Sequence, residues 1–106
     1  LILVKNFRSK LDKLNLIIKK LKIKPIFINQ LMYDGLRDKN LFLVNNELKN
    51  FALENNYYLI PLDEILNMEQ NDYFDAAHTT PQGSKRIADK VFPFLLEFFR
   101  ENNEIN

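Results

Sequence analysis

Two short apolar runs constrain this chain more than anything else in it. Ile26-Phe27-Ile28 follows a break at Lys24-Pro25, and Tyr57-Tyr58-Leu59-Ile60 leads into Pro61-Leu62. Continuous apolar runs of that length fit strands covered on both faces, as in a parallel sheet. Proline is tolerated at a strand's first residue. Between the runs, Leu41, Val44, Leu48 and Phe51 recur at helical spacing, which predicts a helix over residues 40–54, ended by Asn55-Asn56. Strand, helix, strand in that order calls for a parallel pair, residues 26–29 and 57–62, joined by a right-handed crossover.

Helices flank this unit on both sides. Phe7, Leu11, Leu14, Ile18 and Leu21 recur at spacings of four, three, four and three, with Ile17 beside them, so residues 1–22 read as a helix with that stripe turned to the core, residues 1–4 fitting the tail of a strand as well. Residues 29–39 read as a loop with Asp34-Gly35 as its turn. Asp63 is placed to cap a short helical turn over residues 64–68. Residues 69–79 read as polar loop apart from Tyr73 and Phe74. Thr80 and Pro81 then start a final helix over residues 81–100, as N-cap and first helical residue. Its buried stripe is Ile87, Val91, Phe94, Leu95 and Phe98, and Pro93 stands inside it, where a kink is expected. The polar tail 101–106 is expected to fray. The alternation argues for an α/β fold.

Composition removes several chemistries. With 106 residues there is room for one domain. There is no cysteine, so disulfides, zinc-thiolate sites and a thiol nucleophile are out. Only Gly35 and Gly83 are glycine, too few for a Gly-rich phosphate loop. Net charge is +1, yet residues 1–24 hold eight Lys or Arg against Asp12 alone. Such a helix is of the kind that touches nucleic acid or an anionic membrane, but a solvated outer face explains it as well. Apart from Phe7 on the apolar face, no aromatic residue interleaves the basic ones, which argues against base stacking. No apolar run reaches the roughly 20 residues of a membrane span, and no signal peptide is visible. The chain starts with Leu, so it is expected to begin inside a longer protein, and its compartment stays unassigned.

The stretch from Asp72 to Ala88 carries the chemistry. It holds the only histidine, His78, with Asp75 three residues before it and a helix start directly after. A neutral imidazole donates from one nitrogen and accepts at the other. A carboxylate on the first fixes the tautomer and leaves the second to take a proton from a nucleophile. Asp72, Asp75 and His78 are also a thin set for a metal ion. Gln30 and Tyr33 follow the C-terminal end of the first strand, where ligands bind in α/β folds.

Phe74-Asp75-x-x-His78-x-Thr80-x-x-Gly83-x-x-x-Ile87-Ala88 resembles the last conserved block of the SGNH hydrolases, the GDSL esterase/lipase family. Lys24-Pro25-Ile26-Phe27-Ile28-Asn29-Gln30 resembles that family's fourth strand, and residues 57–62 its fifth. The resemblance covers nearly the whole chain, as the C-terminal half of one such domain over residues 1–106. It implies a partial three-layer α/β/α, flavodoxin-like arrangement with two parallel strands and three main helices. It further implies ester hydrolysis through a serine-histidine-aspartate triad, with Asp75 and His78 as catalytic residues and Gln30 and Tyr33 toward substrate. No metal or organic cofactor is implied. The substrate would be a small-molecule, carbohydrate or lipid ester.

The family's nucleophile block and its Gly and Asn oxyanion donors have no counterpart here. Ser9 and Ser84 are the only serines. Ser9 lies in the Lys-rich helix and Ser84 in the first turn after His78, neither in a nucleophile-elbow setting. The expectation is base and orienter without nucleophile, and the isolated chain is expected to be inactive and, with two strands, poorly folded or self-associating. The alternative is a non-catalytic binding or interaction module. Asp72 is expected to tolerate Asn, and Ser84 to face solvent.

Overall fold

A computed structural model describes residues 2–32, 38–75 and 77–102. In chain order the elements are α1 (Ile2–Leu21), β1 (Ile26–Ile28), α2 (Lys39–Asn55), β2 (Tyr58–Ile60), α3 (Leu62–Ile65), a 3-10 turn (Gln70–Asp72) and α4 (Pro81–Glu101). The chain is therefore mixed helix and strand, with β1 and β2 paired as a two-stranded parallel sheet. β1 matches the Ile26-Phe27-Ile28 run and stops one residue short of the predicted 26–29, and β2 covers only Tyr58–Ile60 of the predicted 57–62. Chain contacts divide it into two compact units: residues 1–29 with 38–59, and 30–37 with 60–106.

In the first unit α1 lies against α2. Leu11, Leu48 and Phe51 form a buried cluster, with Phe7, Phe27, Tyr57 and Leu59 packed on it. Phe27 meets Phe51 edge-on at 5.7 Å between ring centres, a favoured aromatic geometry. The guanidinium of Arg8 stands 5.3 Å over the Phe51 ring and forms ion pairs with Asp12, Glu47 and Glu54. Asn15 joins the same seam, donating to Asn55 Oδ1 at 3.0 Å and accepting from the Tyr57 hydroxyl.

The helix ends follow local chemistry. Asp38 caps α2, its Oδ1 accepting from Asn40 N at 2.8 Å and Leu41 N at 3.2 Å. Asn56, in the left-handed region at φ 56°, closes α2, and the Tyr57 N–H returns to Ala52 O at 2.8 Å. Asparagine tolerates that conformation. Lys22 does the same at the end of α1, at φ 55°, with Ile23 N returning to Ile18 O at 3.0 Å.

The core stripe of α1 departs from expectation. Leu11 and Ile18 are buried, but Leu14, Ile17 and Leu21 are exposed. Their spacing is helical, yet the elements beside α1 cover only one side of it.

In the second unit α4 packs on α3 and on the 3-10 turn. Val91 and Phe98 are buried, with Ile87, Phe94 and Leu95 half-buried along the predicted stripe. One continuous helix runs through Pro93. The short helix begins earlier than expected, at Leu62 rather than after Asp63. The Pro61 carbonyl accepts from Glu64 N at 2.9 Å and Ile65 N at 3.2 Å, so Pro61 and not Asp63 stands at its start. The Asp34-Gly35 turn lies outside the described residues.

Candidate functional site

The polar stretch before α4 is a closed loop rather than irregular coil. Tyr73 and Thr79 form an antiparallel bridge. Phe74 N donates to His78 O at 2.7 Å, and Thr80 N donates to Asp72 O at 2.9 Å. Thr80 then starts α4: its hydroxyl accepts from Gly83 N at 3.1 Å and donates to Asn71 O at 3.1 Å. Both ends of the His78 loop are thus tied to the first turn of the helix.

Asp75 and His78 meet at the tip. Asp75 Oδ1 accepts the backbone N–H of Ala77 at 2.9 Å and of His78 at 2.8 Å. His78 Nδ1 lies 2.8 Å from Asp75 Oδ2 and 3.0 Å from Oδ1. The Ala77 N–H, then the His78 N–H and ring, hold the Asp75 carboxyl down at about 2. Facing an ionised carboxylate, Nδ1 must carry the proton when the ring is neutral. Nε2 is then the acceptor. Both side chains are open to solvent, His78 at 81% and Asp75 at 58% exposure.

Asp75 therefore has two tasks. It closes the turn through two backbone N–H groups, and it orients the imidazole. The first task alone would explain an aspartate here.

Asp72 is the residue that spacing alone misjudges. Its side chain is fully buried. Oδ2 accepts the Glu69 N–H at 2.8 Å, Oδ1 accepts from Gln82 Nε2 at 3.1 Å, and Arg86 pairs with Oδ2. The Glu69 N–H is the largest influence lowering its pKa; burial opposes, and Gln82 and Arg86 reinforce the lowering. The same Arg86 donates to Asn67 O at 2.9 Å. Asp72 thus acts as a buried anchor of the loop and cannot be a bystander that tolerates Asn freely. Among the described residues no group of three His, Cys, Asp or Glu side chains is placed to hold a metal ion.

Tyr73 extends the anchor. It is buried, and its hydroxyl donates to Leu31 O at 2.9 Å. Burial, then the neighbouring Asp72 charge, pushes the phenol pKa up. The segment just after β1 is thereby tied to the His78 loop. Gln30, the first residue of that segment, is exposed, whereas Tyr33 lies outside the described residues. Ser84 is exposed, with its hydroxyl 2.6 Å from that of Thr79.

The anchoring contacts of Asp72, Tyr73 and Arg86 join residues that lie mostly ten or more apart in the chain. The one local signal is Glu69-x-x-Asp72, an acid placed to reach back three residues to a backbone N–H, as in a capping box. An open groove of about 590 Å³ lies between α3 and α4, lined by Ile65, Leu66, Arg86, Asp89, Lys90, Pro93 and Phe94. Asp75, His78 and Gln30 are not among its walls. No helix among the described residues is long and apolar enough to cross a membrane.

No family model, curated protein or solved structure matches the chain.

Proposed function

We propose that this chain carries the base half of a serine ester hydrolase of the SGNH type. Its two parallel strands and their helices would be part of a three-layer α/β/α sheet. The observation that carries the reading is the Asp75–His78 pair: Nδ1 held by an ionised carboxylate, with Nε2 left as acceptor. Nε2 would take the proton of a serine hydroxyl as its oxygen attacks the ester carbonyl. The imidazolium would then give that proton to the departing alcohol, while Asp75 stabilises the ring's charge. The serine and the oxyanion donors would come from polypeptide outside these residues. Gln30 stands on the substrate side of the reading because its segment is tied to the loop through Tyr73 and Leu31. The substrate would belong to the classes this family takes, lipid esters, carbohydrate acetyl esters or thioesters.

The chain itself permits one test. Nitrogen-15 NMR of the imidazole near neutral pH should show the Nδ1–H tautomer. A dominant Nε2–H tautomer would remove the base from the reading. In a protein that joins the chain to its nucleophile, His78→Ala should abolish nearly all turnover of a short aryl ester. Asp75→Asn should cost less or a comparable amount, up to about 10⁴. Retained activity in His78→Ala would end the hydrolase proposal.

A non-catalytic interaction module is the second reading. The wide exposure of His78, which is not among the walls of the groove between α3 and α4, favours it. Under that reading the 106-residue chain binds its partner equally well with His78→Ala.

A further inference from the structure

The His78 loop is a hairpin in miniature, and its pairing fixes which side chain stands beside the imidazole. Tyr73 and Thr79 are bridged antiparallel. One step further toward the tip, Phe74 N donates to His78 O at 2.7 Å. Phe74 and His78 are therefore directly opposite one another. Opposite residues of an antiparallel pair project from the same face, and the next pair along projects from the other. Exposure follows that alternation. Tyr73 is buried, with its hydroxyl on Leu31 O at 2.9 Å, whereas Phe74 is 75% and the His78 side chain 81% exposed. The phenyl ring and the imidazole thus share the outer face of the loop. This placement is local, held by hydrogen bonds within residues 72–80.

The polar groups of the loop are engaged with one another. The Asp75 carboxylate accepts from the Ala77 and His78 N–H groups and holds His78 Nδ1. The His78 carbonyl takes the Phe74 N–H, and the Thr79 and Ser84 hydroxyls meet at 2.6 Å. What the loop presents beside the imidazole is a fully apolar ring.

We propose that Phe74 is a specificity-determining residue that receives the alcohol moiety of the ester, so that the substrate is an ester of an apolar alcohol. The inference rests on the hydrolase reading and narrows it. In that reaction the imidazolium gives its Nε2 proton to the departing alcohol oxygen as the bond from that oxygen to the acyl carbon breaks. The group attached to the departing oxygen therefore lies on the side of the base, where Phe74 stands. The acyl oxygen lies instead toward the oxyanion donors, which come from other polypeptide. An alkyl or aryl alcohol covers the Phe74 ring and is drawn there by apolar burial. A sugar alcohol brings hydroxyls that need partners, and the polar groups of this loop are already paired.

The experiment uses the full-length protein that joins this chain to its nucleophile. The substrates are hexyl acetate, methyl acetate and an O-acetylated methyl glucoside, which share one acyl group and differ only in the alcohol. Hexyl acetate should have the highest kcat/KM. Phe74→Ser should lower the hexyl-to-methyl ratio of kcat/KM about ten-fold, through KM for hexyl acetate. Phe74→Leu, still apolar, should keep most of the ratio. Phe74→Gln, polar and of similar reach, gives the same reading where the serine variant does not fold. His78→Ala separates the two claims. If it keeps activity, the hydrolase reading fails and the inference falls with it. If it is inactive while Phe74→Ser and Phe74→Gln leave the ratio unchanged, the inference alone is overturned. A glucoside preferred over hexyl acetate, with that preference lost in Phe74→Ser, would also overturn it, since the ring would then be a sugar platform. So would an equal loss of kcat on all three esters, the mark of a ring that only positions the imidazole or packs against neighbouring chain.

Discussion

A side chain on Gly83 would have to start where the Asp72 backbone already stands. A Cβ built there would lie 2.1 Å from the Asp72 carbonyl oxygen and 2.9 Å from its carbon. The same carbonyl accepts the Thr80 N–H, so the contact joins the loop's anchor to the first turn of α4. Glycine is needed for the missing Cβ and not for unusual dihedrals, since no glycine among the described residues has positive φ. Gly83→Ala must push helix and anchor apart. Overpacking of this kind costs about 1–3 kcal/mol. Urea unfolding should show that loss, and an unchanged midpoint would mean that the two backbones are not in contact.

Asp72→Ala should destabilise the chain more than Asp75→Ala. The reason is burial: removing Asp72 leaves Arg86, Gln82 and the Glu69 N–H without their shared acceptor, and stranded polar partners are costly. Asp75 is solvent-exposed, so its loss should loosen the loop with a smaller shift in midpoint. Thermal unfolding of the two variants side by side decides the order. A double-mutant cycle of Asp72→Ala with Arg86→Ala should be clearly non-additive.

The Asp75 carboxyl should titrate at about 2, against an ordinary 3.8. Its charged form is favoured in the closed loop, so the unfolded state takes up the proton first. The stabilisation is full above about pH 3.8 and is lost as pH falls through about 2. Carbon-13 NMR of the side-chain carboxyl follows this directly. A midpoint at or above 3.8 would show that the Ala77 and His78 N–H groups do not hold Asp75.

Thr80→Ala should cost about 1 kcal/mol, because the hydroxyl satisfies the Gly83 N–H at the start of α4. Thr80→Ser should restore most of it. Equal losses in both variants would assign the effect to packing of the methyl group and not to the cap.

Lys22→Gly should stabilise the first unit by about 1 kcal/mol. Lys22 holds φ at 55° to close α1, a conformation that burdens any residue with a Cβ and suits glycine. Chemical denaturation compares the variant with Lys22→Ala, which should gain nothing.

Much of the framework follows from local sequence, because local forces suffice for it. The Thr80-Pro81 start of α4, its stripe through Val91 and Phe98, and the ending of α2 at Asn55-Asn56 depend on residues within a turn or two of one another. The approach of Asp75 to the His78 ring is also local, since three residues of tight loop leave the carboxylate few other places to be.

Tertiary structure decided what those signals leave open. Helical periodicity marks Leu14, Ile17 and Leu21 as apolar positions, but only the neighbours of α1 determine whether they are covered, and they are not. Asp72 reads as one more acid in a polar loop until Arg86 and Gln82, fourteen and ten residues away, are brought to it. Its burial depends on α4 folding back over the 3-10 turn. The tie from Tyr73 to Leu31 spans 42 residues, a distance over which no sequence pattern acts and only packing can.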